Sequence, residues 1–321
     1  MQAHDLIDHG HGIFALDALF ERPRLTAIHL VVESGRAAII DPGTATAVPR
    51  ILAALEALGL GPEAVDWIVL THIHLDHAGG AGLLASRLPN ARVTVHPRGR
   101  RHMVDPARLW ASTIEVYGQS EAERLYGVLL PVPEDRVVET ADGASLPLAG
   151  RALELLDTPG HARHHVCIRD ARTGHLFTGD TFGLAYTELD AAGKRFVFPS
   201  TSPNQWDPDA HHASVARLES LHPEAVYVTH FSRVDDVPRL AGDLHRLIDA
   251  HADLGRSVMG MPADEARQAA LQAGVERIVL DEARRQGWGT SRDRALEVFA
   301  LDIDLNARGI AAWLDASRRA S

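Results

Sequence analysis

The segment 71–77 reads THIHLDH and follows directly on an apolar run at 66–70. No packing demand explains three imidazoles and one carboxylate within seven residues, so this spelling constrains the fold more than any other stretch. The apolar run has the composition of a strand. Alternate side chains of an extended chain share a face, so His72 and His74 point the same way. Asp76 and His77 lie beyond the bend where the chain turns. Two groups of nitrogen and oxygen donors then face one cavity, an arrangement suited to a pair of divalent cations a few ångströms apart.

Three later segments supply what such a cluster lacks. Residues 157–161 read DTPGH after an apolar-rich stretch at 152–156, and the Pro-Gly turn presents His161 at a strand end. Residues 177–181 read FTGDT, placing Asp180 just after another apolar segment. Residues 226–230 read VYVTH, a third strand that closes on a histidine. Alone, each is ordinary. Together with the first motif they form one pattern, in which the ends of separate strands converge on a single site.

In this order THIHLDH, DTPGH, TGD and TH resemble the metallo-β-lactamase superfamily of metal-dependent hydrolases, over about residues 25–230. The resemblance implies that His72, His74 and His161 hold a first metal, that Asp76, His77 and His230 hold a second, and that Asp180 bridges them. For the fold it implies α/β, a four-layer αβ/βα sandwich with the metals at one edge of two facing sheets. Antibiotic-degrading members commonly carry Cys in the second site and lack the bridging Asp. Here Asp180 is present, and the single cysteine, Cys167, sits in an apolar strand-like run and reads as a small buried hydrophobe. The ligand set therefore resembles the glyoxalase II, lactonase and phosphodiesterase branches. The flavodiiron branch has Glu where His74 stands.

Imidazoles and carboxylates without a thiolate suit Zn(II) and also admit Fe(II) or Mn(II), so the cofactors expected are two divalent ions, zinc first. A water on such an ion has its pKa lowered toward roughly 7, which gives hydroxide at neutral pH. The catalytic residues expected are Asp76, orienting that water, and Tyr186, donating to a developing oxyanion. The reaction is hydrolysis of a small carbonyl substrate, a thioester, ester or lactone. The alternatives that stay open are a mono-iron oxidoreductase resembling persulfide dioxygenases, and a phosphodiesterase or nuclease.

The chain has 321 residues, with Lys and Arg numbering 32 against 43 Asp and Glu. The net charge of −11 argues against nucleic acid as a partner. With one cysteine there is no intrachain disulfide, and no stretch has the length of a membrane span or the uninterrupted apolar core of a signal peptide, so a cytoplasmic location is expected. His4, His9 and His11 read as a flexible arm. Asp41, in IIDPG, serves either as a turn former or as a hydrogen-bond support for the first motif. His165 falls where relatives carry a second His, but His164 replaces the Gly that precedes it.

Coarse patterning predicts strands at 26–33, 36–41, 66–70 and 92–96, with helices near 47–58 and 82–88. The aromatic-rich stretch 105–136 is either a lid or a helical excursion, and PRGRRH at 97–102 either a solvated loop or a helix start. Residues 1–235 form the catalytic domain. Residues 236–321 form a helical extension, with helices at 238–254, 263–286 and 292–317. Its last segment is apolar enough to need a partner surface. It either covers the substrate entrance or joins two copies of the chain as a homodimer.

Overall fold

Short runs rich in Val, Ile and Ala become strands in the computed structural model, which describes residues 6–191, 193–201, 203 and 205–320. Seven of them lie in chain order in one sheet: β1 (Leu6–Asp8), β2 (Ile13–Asp17), β3 (Ala27–Glu33), β4 (Arg36–Ile40), β5 (Val65–Val69), β6 (Arg92–Val95) and β7 (Val137–Glu139). The first four pair antiparallel through turns. β5, β6 and β7 each add in parallel, which requires a crossover connection. The crossovers carry α1 (Val48–Ala57), then α2 (Leu75–Ala78) and α3 (Ala81–Arg87), then α4 (Pro97–Val104), α5 (Ala107–Tyr117) and α6 (Gln119–Tyr126). α1 shows why these segments coil: Pro49 stands in its first turn, and Val48, Ile51, Ala54 and Leu55 recur at helical spacing and are buried. The stretch 105–136 thus carries the helices α5 and α6, and PRGRRH begins α4.

Six strands form the second sheet, in the order β13, β12, β11, β10, β9, β8: β8 (Ser145–Leu148), β9 (Arg151–Asp157), β10 (Val166–Asp170), β11 (Leu176–Gly179), β12 (Val226–Val228) and β13 (Ser232–Val234). Leu153 and Leu155 of β9, Ile168, Phe177 and Tyr227 form one apolar cluster with Ile13, Val31, Ala38, Ile40 and Val69 of the first sheet. Each large side chain buried there contributes roughly 1.5–3 kcal/mol. This shared core fixes the facing of the two sheets.

The N-terminal arm is not a free tail. β1 and β2 make a hairpin, His9 Nε2 lies 3.0 Å from Ser232 Oγ, and the His11 carbonyl accepts from Arg151 at 2.7 Å. Backbone pairing against the sheet edge outweighs the polar composition of the segment. His4 lies outside the described residues.

The chain forms two compact units that alternate along the sequence. The first holds both sheets and comprises the residues up to Asp157, His164–Gly179 and Val226–Arg233. The second comprises Thr158–Arg163, Asp180–Ala225 and the residues from Val234 on. Its helices are α7 (Pro208–Glu219), α8 (Val237–Ser257), α9 (Glu265–Gln286), α10 (Arg292–Val298) and α11 (Ala300–Ala320). Asp207, Asp264 and Ser291 cap α7, α9 and α10 by accepting from backbone N–H groups one turn on. The single helix expected at 292–317 is two. The break falls at Phe299, which is fully buried against Phe198 and Trp288, with ring centroids 4.9 and 5.6 Å away. Arg267 joins α9 to α11 through a two-pronged pairing with Asp315 at 2.8 and 2.9 Å. Among the described residues, no helix is long and apolar enough to cross a membrane.

Candidate metal centre

In the first unit β5 ends at Val69, and the chain bends at Thr71 and continues without regular structure to His74 before the single turn of α2. Asp41 organises this strand end. It has φ +49, a left-handed conformation that Asp tolerates better than most residues. Its buried carboxylate accepts from Thr71 N at 2.8 Å, Thr71 Oγ1 at 2.7 Å, His77 Nδ1 at 2.8 Å and Thr229 Oγ1 at 3.1 Å. The turn and the support expected of Asp41 are therefore one arrangement, and they tie the THIHLDH segment to the end of VYVTH.

Thr71 Oγ1 donates to Asp41, so at its 3.0 Å contact with His72 Nδ1 it accepts. That leaves the lone pair of His72 on Nε2, which faces His74 Nδ1 at 2.9 Å. Asp76 and His77 stand on α2. His77 Nε2 and His230 Nε2 each lie 3.4 Å from Asp76 Oδ2. His230 Nδ1 bonds to the Leu25 carbonyl at 2.8 Å, as His77 Nδ1 bonds to Asp41. An imidazole whose Nδ1–H is held by an oxygen presents a lone pair at Nε2, the arrangement by which histidines are oriented toward metals. One donor atom from each of Asp76, His77 and His230 lies within 4.8 Å of the other two.

Burial by itself would raise the Asp76 carboxyl, but His77 and His230 beside it outweigh that penalty and hold it well below the usual carboxylate range. Asp76 is anionic at neutral pH.

The second unit places His161 and Asp180 together. Gly160 has φ +143, and a Cβ there would come within 2.3 Å of the His211 backbone, so the DTPGH turn requires glycine at this position. His161 donates Nδ1–H to the Ser200 carbonyl at 2.9 Å and turns Nε2 toward Asp180 Oδ2 at 3.6 Å. Both side chains are buried. His211 donates Nε2–H to the Thr181 carbonyl at 2.8 Å, and burial pushes it down to about 3, so it remains neutral. Asp180 follows Gly179, the last residue of β11, whose Cβ would clash with His165 and Thr71 at 2.5 and 2.6 Å. That close approach explains the glycine of TGD.

The donors fit a divalent cation. They are imidazole nitrogens and carboxylates with no thiolate among them, and the Nδ1 atoms of His72, His77, His161 and His230 each have an oxygen or hydroxyl partner, which leaves Nε2 to face the site.

The remaining expected residues fall as follows. Tyr186 is buried, and its hydroxyl lies 3.1 and 3.0 Å from the two Asp302 oxygens. Cys167 is fully buried on β10, with Sγ 3.6 Å from the Thr178 carbonyl. His165 is fully buried, with its ring 5.0 Å from that of His72. The His164 ring lies 6.2 Å from that of His72 and 5.9 Å from that of His74, and its φ is not among the positive ones, so the backbone at this position does not require glycine. His164 is thus a further imidazole beside the motif, signalled by the HH pair. Thr229, inside VYVTH, bonds to Asp41, and Ser200 bonds to His161 through its carbonyl; sequence reasoning singled out neither.

The metallo-β-lactamase superfamily model matches residues 22–230. A hydroxyacylglutathione hydrolase of Xanthomonas euvesicatoria is 32% identical over 197 residues, which is 61% of this chain and 56% of that enzyme's length. A metallo-β-lactamase fold-containing protein of Sulfurisphaera tokodaii is 29% identical over 65% of this chain and 74% of its own. A solved metallo-β-lactamase family protein of Thermus thermophilus superposes with a TM-score of 0.66 at 22% identity, covering 95% of this chain and 94% of its own, so the likeness of fold takes in the C-terminal helices. The ordered motifs, the two sheets around one core and the length of the model match lead to one assignment: the chain belongs to the metallo-β-lactamase superfamily.

Proposed function

We propose that the protein is a dinuclear metal-dependent hydrolase of a small carbonyl substrate, a thioester in the first instance and otherwise an ester or lactone. In this reading His72, His74 and His161 hold one ion, Asp76, His77 and His230 hold the other, and Asp180 bridges. Zinc is the first choice of metal, with Fe(II) or Mn(II) also suited to the donors. The observation that carries the reading is the orientation of three separate histidines. His77, His230 and His161 each give Nδ1 to a fixed oxygen and turn Nε2 toward a carboxylate.

When bound, such ions lower the pKa of water toward roughly 7 and offset charge on a carbonyl oxygen under attack. The chain's own residues do the rest. Asp76, held anionic, accepts a hydrogen bond from the attacking water and fixes its approach. Asp41 keeps His77 in one tautomer. The phenolic proton of Tyr186 points at Asp302, so Tyr186 serves an oxyanion only by exchanging that partner. The thioester preference is supported by the hydroxyacylglutathione hydrolase match, which spans little more than half of that enzyme. A cytoplasmic location, a small-molecule partner and pairing of two copies through the C-terminal helices belong to the same proposal, the last tested by light scattering.

The test is metal analysis of the purified protein combined with a thioester, ester and lactone panel. Turnover of a panel member that is lost on chelation and restored by zinc is expected. A metal-replete protein inert toward all three classes overturns the reading. One iron per chain with oxygen uptake on a persulfide replaces it with the dioxygenase.

A further inference from the structure

We infer that Asn306, on α11, is a positioning residue for the His161 imidazole, so that the C-terminal helices help align the metal centre; the inference rests on the proposed role of His161 as a ligand. The link is a single peptide group. His161 Nδ1 donates to the carbonyl of Ser200 at 2.9 Å, and the N–H of that same peptide unit, on Thr201, donates to Asn306 Oδ1 at 2.8 Å. A peptide unit is planar, so fixing its N–H fixes the direction of its carbonyl oxygen. A donated N–H also polarises the carbonyl and makes it a better acceptor for His161.

Asn306 holds the neighbouring units as well. Its Nδ2 donates to the Pro199 carbonyl at 3.0 Å, and its own carbonyl accepts from Thr201 Oγ1 at 3.1 Å. The side chain is buried, so these bonds do not compete with bulk water. A carboxamide is the side chain that offers a donor and an acceptor in one plane, the pair needed to grip a C=O and an N–H two residues apart. The break between α10 and α11 places this grip. Phe299 packs on Phe198, the residue before Pro199, and from there Asp302 and Asn306, four residues apart, share one face of α11. Asp302 takes the Tyr186 hydroxyl and Asn306 takes 199–201, so one helix face holds both parts of the segment that follows Asp180.

A purely structural Asn306 would lower stability without selecting between ions, and this difference makes the inference testable. The metal-stripped full chain is titrated with Co(II), following the visible absorption and the cobalt bound per chain, for wild type, His161→Ala, Asn306→Ala, Asn306→Asp and Thr201→Val. Thr201→Val removes one hydrogen bond to α11 but keeps the Thr201 N–H on Asn306, so it matches the loss of stability alone. Asn306→Ala is expected to weaken the same binding step that His161→Ala removes, by about 10- to 100-fold, as loss of a group that orients a ligand does. The other step should stay intact, and Thr201→Val should leave both unchanged. Asn306→Asp keeps the acceptor for Thr201 N–H but loses the donor to the Pro199 carbonyl, so it is expected to weaken that same step while leaving the other intact; if the alanine variant does not fold, Asn306→Asp binding equal to that of Thr201→Val at both steps overturns the inference. Binding by Asn306→Ala equal to that of Thr201→Val likewise overturns it. If His161→Ala itself leaves both steps unchanged, the ligand assignment falls and the inference with it; if His161→Ala removes a step and Asn306→Ala does not, only the inference falls.

Discussion

The two groups of candidate ligands are held by different means. In the first unit a buried carboxylate, Asp41, accepts four hydrogen bonds and fixes His77, Thr71 and Thr229 directly. In the second, His161 rests on one backbone carbonyl, Ser200, whose peptide is gripped from α11. A charged acceptor makes bonds roughly twice as strong as a neutral one. The first group is therefore stiff through local electrostatics, and the second through packing of distant helices. Damage to each should show a different signature.

The largest effect is expected from Asp180→Ala, which removes the proposed bridge between the groups. Metal occupancy and turnover should fall together by more than about 100-fold, beyond the 10- to 100-fold typical of residues that only support a ligand. Metal content and kcat/KM measured on the same preparation check this. Occupancy that survives while turnover collapses would separate the two roles and break the comparison. Next comes Asp41→Asn, which keeps the size and the tolerance for positive φ but removes the charge. It should weaken metal binding by about 10- to 100-fold and lower stability by about 1–3 kcal/mol, both measurable by cobalt titration and urea unfolding. An effect confined to stability would place Asp41 among the turn formers only.

Acid should strain both units through buried neutral histidines. Burial lowers His29, in the first unit, to about 3 and His251, in the second, to about 4. Because the folded values lie below the unfolded value near 6.5, the unfolded chain takes up protons first. The stability these groups contribute is complete above about pH 6.5 and is lost as pH falls toward 4. Within that window each costs at most about 1.4 kcal/mol per pH unit. Urea unfolding of the metal-free chain at pH 7.5 and pH 5 should show the loss, and His251→Leu should flatten its slope. An unchanged slope in that variant would remove His251 from the account. The smallest effect is expected from Cys167→Ser, since a hydroxyl keeps the Thr178 carbonyl as partner. Metal binding and turnover should be intact and the stability change below about 1.5 kcal/mol. Loss of activity would show that the thiol has a chemical role.

The same contrast governs how much could be read from the sequence. THIHLDH, DTPGH and TGD name candidate ligands because metal chemistry requires those residue types close to strand ends, and Gly160 and Gly179 are spelled by steric need. Asp41 was visible as a candidate, since IIDPG combines a strand end with a turn. Thr229 lies inside VYVTH but is no metal donor, and only the fold shows its bond to Asp41. Ser200 acts through its carbonyl, which every residue has, and Asn306 lies 145 positions beyond His161, so neither leaves a local trace. The helix break at Phe299 escaped for a related reason. The apolar periodicity of 292–317 continues through it, and the aromatic partners that bury Phe299 lie elsewhere in the chain.

The central claim is that the candidate ligands hold a pair of ions. A crystal structure of the zinc-loaded protein with anomalous differences collected at the zinc edge tests it most directly. The account predicts two peaks, one bounded by Asp76, His77 and His230 and the other by His72, His74 and His161, with Asp180 reaching both. Zinc-saturated crystals without a peak, or with these rings turned away from any peak present, would contradict it.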